Sequence, residues 1–312
     1  MATTYQTPSP AIAALVNLKP DPLMLFGPDR NYLLMADRPS YPSITELREP
    51  KLKLAGRQIN PRTFMPHGHR GYQNPRLRTL EPLQDFPLRG LPDDARLRFF
   101  NWSPSGKRFG FCLLTPTGLQ LWTGERESLL CHPHGPADLN NSLGGVPFDF
   151  FGDDKILVKR RLTDTEPPAT NAPVTGPNVQ DTSGVEGSDR TYTNLLRNQQ
   201  DVDQFRYYAT AQLHRIDLVR GVEEPWGPSG IIASLAASPN REYFLATLVT
   251  EPFSFNVPYE KFGDRVVVLD ATGKEICELA RRPHQEQLPP AFGAVITQPR
   301  RFTWRSDHPA QI

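Results

Sequence analysis

The sequence predicts an all-β fold: a β-propeller-like array, an incomplete ring of about four to five blades, with a short helical insertion. Three observations predict it. An apolar run, a tight polar turn and a second apolar run recur along the chain. Several of these hairpins are followed by a strand, a polar turn and a further short strand, so that each unit holds four antiparallel strands. Proline accounts for 33 of 312 residues, roughly twice the usual share, which disfavours long interior helices.

Taken in order, residues 1–22 read as an N-terminal strap. Pro8, Pro10, Pro20 and Pro22 bracket the apolar stretch Ala11–Leu18. Proline at the edges stops propagation while the middle seeks burial, which predicts a docked helical turn or two. Residues 23–312 read as a partial propeller. The hairpins fall at 23–36, 97–114, 146–158 and 231–248, with 302–307 (FTWRSD) reading as the start of another. Their turns begin at Gly27, Ser103, Gly152 and Ser238 and use Gly, Pro, Asp, Asn and Ser, the residues of tight reversals. The half-pattern is Gly118–Trp122 before the turn Thr123-Gly124, Gln212–Leu218 before Arg220-Gly221, and Arg265–Asp270 before Ala271–Gly273. Glu275–Leu279 follows as a fourth strand.

The spacing is uneven, which places insertions at 37–92 and 163–208. The first is loop-rich and basic: 48–108 holds 13 Lys/Arg against 5 Asp/Glu. The second opens with a polar stretch expected to be an exposed loop. It then carries Tyr192, Leu195, Leu196, Val202 and Phe205 on one helical face, with Ser188 or Asp189 as cap. Because 162–205 is acidic, with 7 Asp/Glu and 2 Lys/Arg, the two insertions are expected to balance each other's charge, in contact.

Composition narrows the function. A net charge of +1 argues against a polyanion binder working by bulk charge. Three cysteines, Cys112, Cys131 and Cys277, are too few and too scattered for a disulfide framework or a zinc ribbon. No stretch approaches the ~20 apolar residues of a membrane span, and no basic region precedes Ala11–Val16 as in a secretory signal. The expectation is a soluble, cytoplasmic chain without nucleic-acid or membrane partners.

Several residue groups suggest chemistry and have plainer readings. His67 and His69, with Cys131, His132 and His134, have metal-donor side chains, but their spacing is that of exposed loop residues. Arg57, Arg62, Arg70, Arg76, Arg78 and Arg89 with Tyr72 could contact phosphates and stack on bases, could meet the acidic insertion, or could face a cavity and attract acidic peptides. Trp102, Trp122, Trp226 and Trp304 read as blade core rather than a stacking platform. Asp93-Asp94 and Asp153-Asp154 read as turn residues, because adjacent acids on a strand point opposite ways.

Beyond these patterns the sequence resembles a family. YQTPSPAIAALV (5–16), RPSYPSITEL (38–47), LAGRQINPRT (54–63), PVTGPNVQDTSG (173–184), RTYTNLLRNQQDVDQFRYYATAQL (190–213) and PFSFNVPYEKFGDRVVVLDATG (252–273) are similar to prolyl-oligopeptidase-family serine peptidases, closest to the glutamyl endopeptidase branch. The resemblance implies an N-terminal propeller, seven-bladed in the complete protein, that filters peptides. It also implies a C-terminal α/β-hydrolase domain bearing a Ser-Asp-His triad. No such domain is expected here. The chain ends at Ile312, and no G-x-S-x-G elbow is present: Gly227-Pro-Ser-Gly230 has the wrong spacing, and Gly187-Ser188 lacks the second glycine. No catalytic, cofactor-binding or metal-binding residue is assigned, no cofactor is expected, and the chain alone is expected to be inactive. The functional expectation is the non-catalytic propeller portion of a glutamyl-endopeptidase-like peptidase. It would gate peptide access when paired with a hydrolase domain, supplied if necessary by a separate chain. The alternative is a free-standing propeller that serves as a protein-interaction module. An incomplete ring would leave an unpaired edge and an uncovered blade face near 290–312.

Overall fold

A computed structural model describes residues 7–68, 71–162, 166–168, 191–286 and 298–312. The first part of the chain forms α1 (Pro10–Val16), β1 (Leu23–Phe26), β2 (Tyr32–Asp37) and α2 (Ile44–Leu47). Then come β3 (Leu52–Leu54), β4 (Arg57–Asn60), β5 (Met65–Pro66), β6 (Gln73–Leu80) and β7 (Leu83–Pro87). The middle holds β8 (Leu97–Trp102), β9 (Arg108–Thr115), β10 (Gly118–Glu125), β11 (Cys131–Leu139), β12 (Phe148–Phe150) and β13 (Lys155–Arg161). The rest is α3 (Gln199–Ala209), β14 (Ala211–Asp217), β15 (Val222–Ala237), β16 (Tyr243–Val249), β17 (Asp264–Asp270) and β18 (Glu275–Arg282).

Most of the strands assemble into four antiparallel, blade-like meanders, β1-β2-β6-β7, β8-β9-β10-β11, β12-β13-β14-β15 and β15-β16-β17-β18, while β3, β4 and β5 form a separate three-stranded antiparallel sheet. The fold is all-β and propeller-like, with sheets that are not closed. All four expected hairpins are present. Each turn is sealed by a backbone bond: Gly27 to Tyr32, Ser103 to Arg108, Phe151 to Lys155 and Ser238 to Tyr243. β15 belongs to two meanders. Its residues up to Gly230 pair with β14, and those from Ile231 onward pair with β16.

The chain divides into two compact units: Met1–Arg48, Gly68–Leu114 and Leu121–Gly135 in one, Glu49–His67, Thr115–Gln120 and Pro136–Ile312 in the other. The first unit is centred on Phe109, Phe111, Trp102, Trp122, Leu97, Tyr32 and Leu77. Phe109 and Phe111 are fully buried, and each such ring contributes about 2–3 kcal/mol. In the second unit the alternation of β17 sends its side chains into two clusters. Val267 and Leu269 pack with Phe244, Ala246 and Trp226, while Val266 and Val268 pack with Leu245. A third cluster gathers loops and α3: Leu54, Ile59, Phe64, Leu143, Val202, Phe205, Phe253, Val257 and Phe262.

The structure corrects several sequence expectations. The stretch 37–92 contains β6 and β7, which complete the first meander. Their charges hid them: Arg76 and Arg78 alternate with Leu77 and pair with Asp85 of β7, and Arg76 also pairs with Asp37 of β2. Thr123-Gly124 is not a turn, since β10 runs on to Glu125. Gly124 is there for close packing: a Cβ would stand 2.4 Å from the Phe109 ring and 2.9 Å from Cys131 Sγ.

The helix begins at Gln199 rather than near residue 191. It is capped by Asn198, whose side chain accepts from Asp201 N at 2.8 Å. Asn194 has φ 60° and its carbonyl accepts from Gly56 N at 2.8 Å, which commits the preceding residues to a loop. Ser188 and Asp189, with most of the polar insertion, lie outside the described residues. The strap helix α1 does form, but none of its residues is buried. Residues 302–307 are not a strand. Phe302 and Trp304 instead pack on the Val266/Val268 face, so that face is partly covered. β18 pairs only with β17 among the described residues.

Candidate functional site

In the second unit, described parts of the two insertions meet through aromatic side chains. Phe64, beside β5, stacks at a tilt on Tyr207 and Tyr208 of α3, with centroids 5.7 and 4.8 Å away. Cations ring this cluster. Arg161 lies 4.2 Å from the centre of Phe64, Arg57 5.0 Å from Tyr259, and Lys261 5.9 Å from Tyr192. Such contacts stabilise by about 0.5–2 kcal/mol each. Asn140 Nδ2 donates to the carbonyls of Tyr208 and Thr210 at 2.9 and 2.7 Å, fixing the end of α3.

β13 concentrates the perturbed electrostatics of this unit. Arg160 is 4 % exposed at its side chain and donates to Glu223 at 2.8 and 2.9 Å, and also to Asp138. Burial opposes its charge, but these two carboxylates hold it protonated. His214 Nδ1 lies 3.0 Å from Glu223 as well. For the neighbours of Arg160 in β13, burial outweighs the attraction of any carboxylate. Burial pushes the Lys159 ammonium down to about 8. Burial likewise lowers Arg161 to about 10, while its Nη groups donate to the carbonyls of Thr63 and Thr117 at 2.7 and 3.1 Å.

In the first unit, the guanidinium groups of Arg38 and Arg98 lie 5.9 and 5.8 Å from the centre of the Tyr72 ring. Tyr72 bridges to Leu97 through reciprocal backbone bonds of 2.8 and 2.9 Å. A cleft of about 360 Å³ begins at the next residue and is lined by Gln73, Arg76, Asp85, Leu88, Leu91 and Asp93, among others.

The residues singled out from sequence are largely kept apart. Arg57 pairs with Glu260 at 2.8 Å, Arg62 donates to the carbonyl of Pro116, Arg76 and Arg78 pair with Asp85, and Arg89 donates to the carbonyl of Ser128. Of that basic set only Tyr72 lies in the arginine pair just described, and Arg70 and His69 are outside the described residues. His134 Nε2 lies 2.7 Å from Thr123 Oγ1, and Cys131 is buried with its thiol pushed up to about 12. No group of three metal-donor side chains gathers among the described residues. Trp102, Trp122 and Trp226 are blade core. Asp93-Asp94 and Asp153-Asp154 lie in turns or bends. Ser229 sits inside β15, paired with Gln212, and not on a strand-to-helix elbow. Gly187-Ser188 lies outside the described residues. Sequence reasoning missed Arg38 and Arg98, which no local motif marks.

Comparison with known proteins shows what the chain is similar to. No family model matches the chain. A protein of Oryza sativa subsp. japonica named "Probable glutamyl endopeptidase, chloroplastic" is 30% identical over 338 aligned positions, covering 99% of this chain and 34% of that protein. One of the same name from Arabidopsis thaliana is 27% identical, covering 100% of this chain and 34% of its own length. Among solved structures, an acylaminoacyl peptidase of Pyrococcus horikoshii is 12% identical with a TM-score of 0.44, covering 86% of this chain and 33% of that one. Prolyl oligopeptidase B of Galerina marginata is 12% identical with a TM-score of 0.42, covering 84% of this chain and 27% of that one. The chain is a homologue, along its whole length, of proteins named as probable glutamyl endopeptidases, and it spans about a third of the length of these relatives.

Proposed function

We propose that this chain is the non-catalytic, propeller-type portion of a glutamyl-endopeptidase-like serine peptidase, and that it restricts which peptides reach a hydrolase site supplied by another domain or chain. The observation that carries this reading is continuity. The similarity runs along 99% of the chain while occupying 34% of the rice relative, as expected of one portion of a larger peptidase. The all-β meanders agree with a binding and filtering role, because Ser229, the serine nearest to a nucleophile motif, is held in mid-strand.

The test is reconstitution. The chain is mixed with the remaining two-thirds of the rice relative, and cleavage after Glu is followed on a short peptide and on a folded protein. The reading expects no hydrolysis by the chain alone, and a fall in cleavage of the folded protein, but not of the peptide, when the chain is added. Hydrolysis by the chain alone, or equal cleavage of both substrates with and without it, would overturn the reading. A cytoplasmic location belongs to the same proposal. Among the described residues no helix is long and apolar enough to cross a membrane, while both relatives are named chloroplastic. Cell fractionation decides between the compartments.

A second reading, a free-standing interaction module, draws on one observation. Ile12, Leu15 and Val16 of α1 and Ile44 and Leu47 of α2 are all more than half exposed, and exposed apolar groups of this kind favour association. The same mixing experiment separates the two, since a module without peptidase role leaves the hydrolase unchanged.

A further inference from the structure

Of the 18 large hydrophobic residues that are exposed among the described residues, 9 lie between Ile12 and Leu47 of the first unit. They concentrate around α1 and α2. Ile12, Leu15 and Val16 of α1, Leu18 just after it, and Ile44 and Leu47 of α2 are between 54 and 75 % exposed. Spacings of three and four residues put each set on one side of its helix. Tyr41, itself exposed, donates from its hydroxyl to the carbonyl of Val16 at 2.9 Å. Since Tyr41 stands three residues before Ile44, this bond ties the end of α1 to the start of α2.

The sequence of α1 does not account for its helical form. Its 7 residues fall well short of the ~12–15 at which an isolated helix is even marginal in water. No side chain caps its start, and no acidic first turn or basic last turn complements its dipole. Helices in proteins are held chiefly by burial of an apolar face, and a helix apolar all round belongs in an interior. PAIAALV is apolar all round, yet none of its residues is buried. The burial that stabilises it has to be supplied by a partner surface.

Area and charge say what that partner is. At roughly 150–250 Å² for a fully open large side chain, Tyr41 and the six aliphatic residues leave on the order of 800 Å² uncovered. That is about what each partner contributes to a standard interface, and more than the ~300–600 Å² of the largest apolar patch on a typical monomer. The patch is also uncharged: residues 10–18 and 39–45 contain no Lys, Arg, Asp or Glu. Nucleic acids and anionic lipid surfaces are recognised by clustered Lys and Arg, which are missing from both stretches. An uncharged face meets its own copy without like-charge repulsion, and chains of net charge +1 repel each other little. We propose that α1, Tyr41 and α2 form an isologous dimer interface, in which the patch of one chain covers the same patch of a second copy. The dimer goes beyond the peptidase reading and does not rest on it.

The test is sedimentation equilibrium of the full chain between about 1 and 100 μM. The average mass should rise with concentration to twice that of the monomer and stop there, since an isologous contact closes on itself. Leu15→Glu should weaken the dimer at least ~30-fold, because it buries a carboxylate without a partner. Ile44→Glu, on the other helix, should weaken it as well. Both side chains are exposed, so both variants should stay folded, which circular dichroism checks. Val219→Glu, exposed in the second unit, should leave the dimer unchanged. Cross-linking reads the face directly. With Cys112 and Cys131 buried and Cys277 replaced by Ser, Ala14→Cys should be captured as a dimer by a short bis-maleimide, and Val219→Cys should not. A chain that stays monomeric throughout, a mass that climbs past the dimer, or a dimer indifferent to both Glu substitutions would each overturn the proposal. So would a monomer that forms a Leu15-dependent complex with the remaining two-thirds of the rice relative, a result that leaves the peptidase reading standing. A Leu15-dependent dimer that has no effect on cleavage in the reconstituted system does the reverse.

Discussion

The indole N–H of Trp304 donates to the backbone carbonyl of Ala236 across 2.9 Å. A residue near the end of the chain thereby closes over the strand β15 and the Val266/Val268 face beside it. Trp304→Ala removes both the bond and the ring, and should destabilise the second unit by about 2–3 kcal/mol. Trp304→Phe retains most of the packing and should cost about 1 kcal/mol. Urea denaturation of the two variants against the parent chain measures the difference.

Arg160 is the buried hub of an ion cluster with Glu223 and Asp138. Arg160→Ala leaves two carboxylates facing each other without their cation, and should cost about 3 kcal/mol or more. Combining it with Glu223→Gln should recover part of that loss. A double-mutant cycle by chemical denaturation gives the coupling.

Glu251 is held below its ordinary value of 4.5 by hydrogen bonds from Arg206 and by the charge of that guanidinium. Its folded-state value is the lower one, so its contribution is present above the unfolded value and is lost as pH falls through the folded one. The carboxylate is half-exposed, which limits the effect to about 1 kcal/mol or less. Stability curves between pH 6 and 2.5 should show a shallower acid decline in Glu251→Gln than in the parent.

Cys131 is buried with its thiol pushed up to about 12, Cys112 is buried, and Cys277 is exposed on β18. A thiol held protonated is a poor nucleophile. At pH 8 the native chain should react rapidly with one equivalent of a thiol reagent such as DTNB, and with three once unfolded in guanidinium. Rapid loss of two or three thiols in the native state would contradict this burial.

Gly273 turns the chain after β17 at φ 87°, and a Cβ there would stand 2.4 Å from Gly227 N. Since the obstacle is backbone, it cannot rotate away. Gly273→Ala should cost about 2 kcal/mol or more, visible as a lowered melting temperature.

Much of the fold was legible because its signals are local. The turns at Gly27, Ser103, Gly152 and Ser238 each combine a reversal residue with flanking apolar runs, and all four hairpins formed. β6 was not legible, because in QNPRLRTL the core residue Leu77 is flanked by Arg76 and Arg78, which pair with Asp37 and Asp85 on neighbouring strands. FTWRSD has the apolar pattern of a strand but pairs with no strand among the described residues, and its aromatics pack on the Val266/Val268 face instead. For the helix, Tyr192 and Leu195 fit the right period, and a long-range bond from Gly56 to Asn194 overrode it. The candidate site was illegible for a similar reason. Arg38 and Arg98 are distant in sequence, and only the fold brings them to Tyr72.

β15 changes partners between Gly230 and Ile231 without interruption. The last two meanders are therefore not separable cassettes: one ribbon serves as the last strand of the first and the first strand of the second. Gene fusion or recombination with a breakpoint at that joint would sever a strand needed on both sides. Breakpoints in the connections 88–96 or 140–147 would fall outside strands. Inheritance of this half of the chain is thus expected to be all or nothing, with exchange of parts confined to the segments before β12.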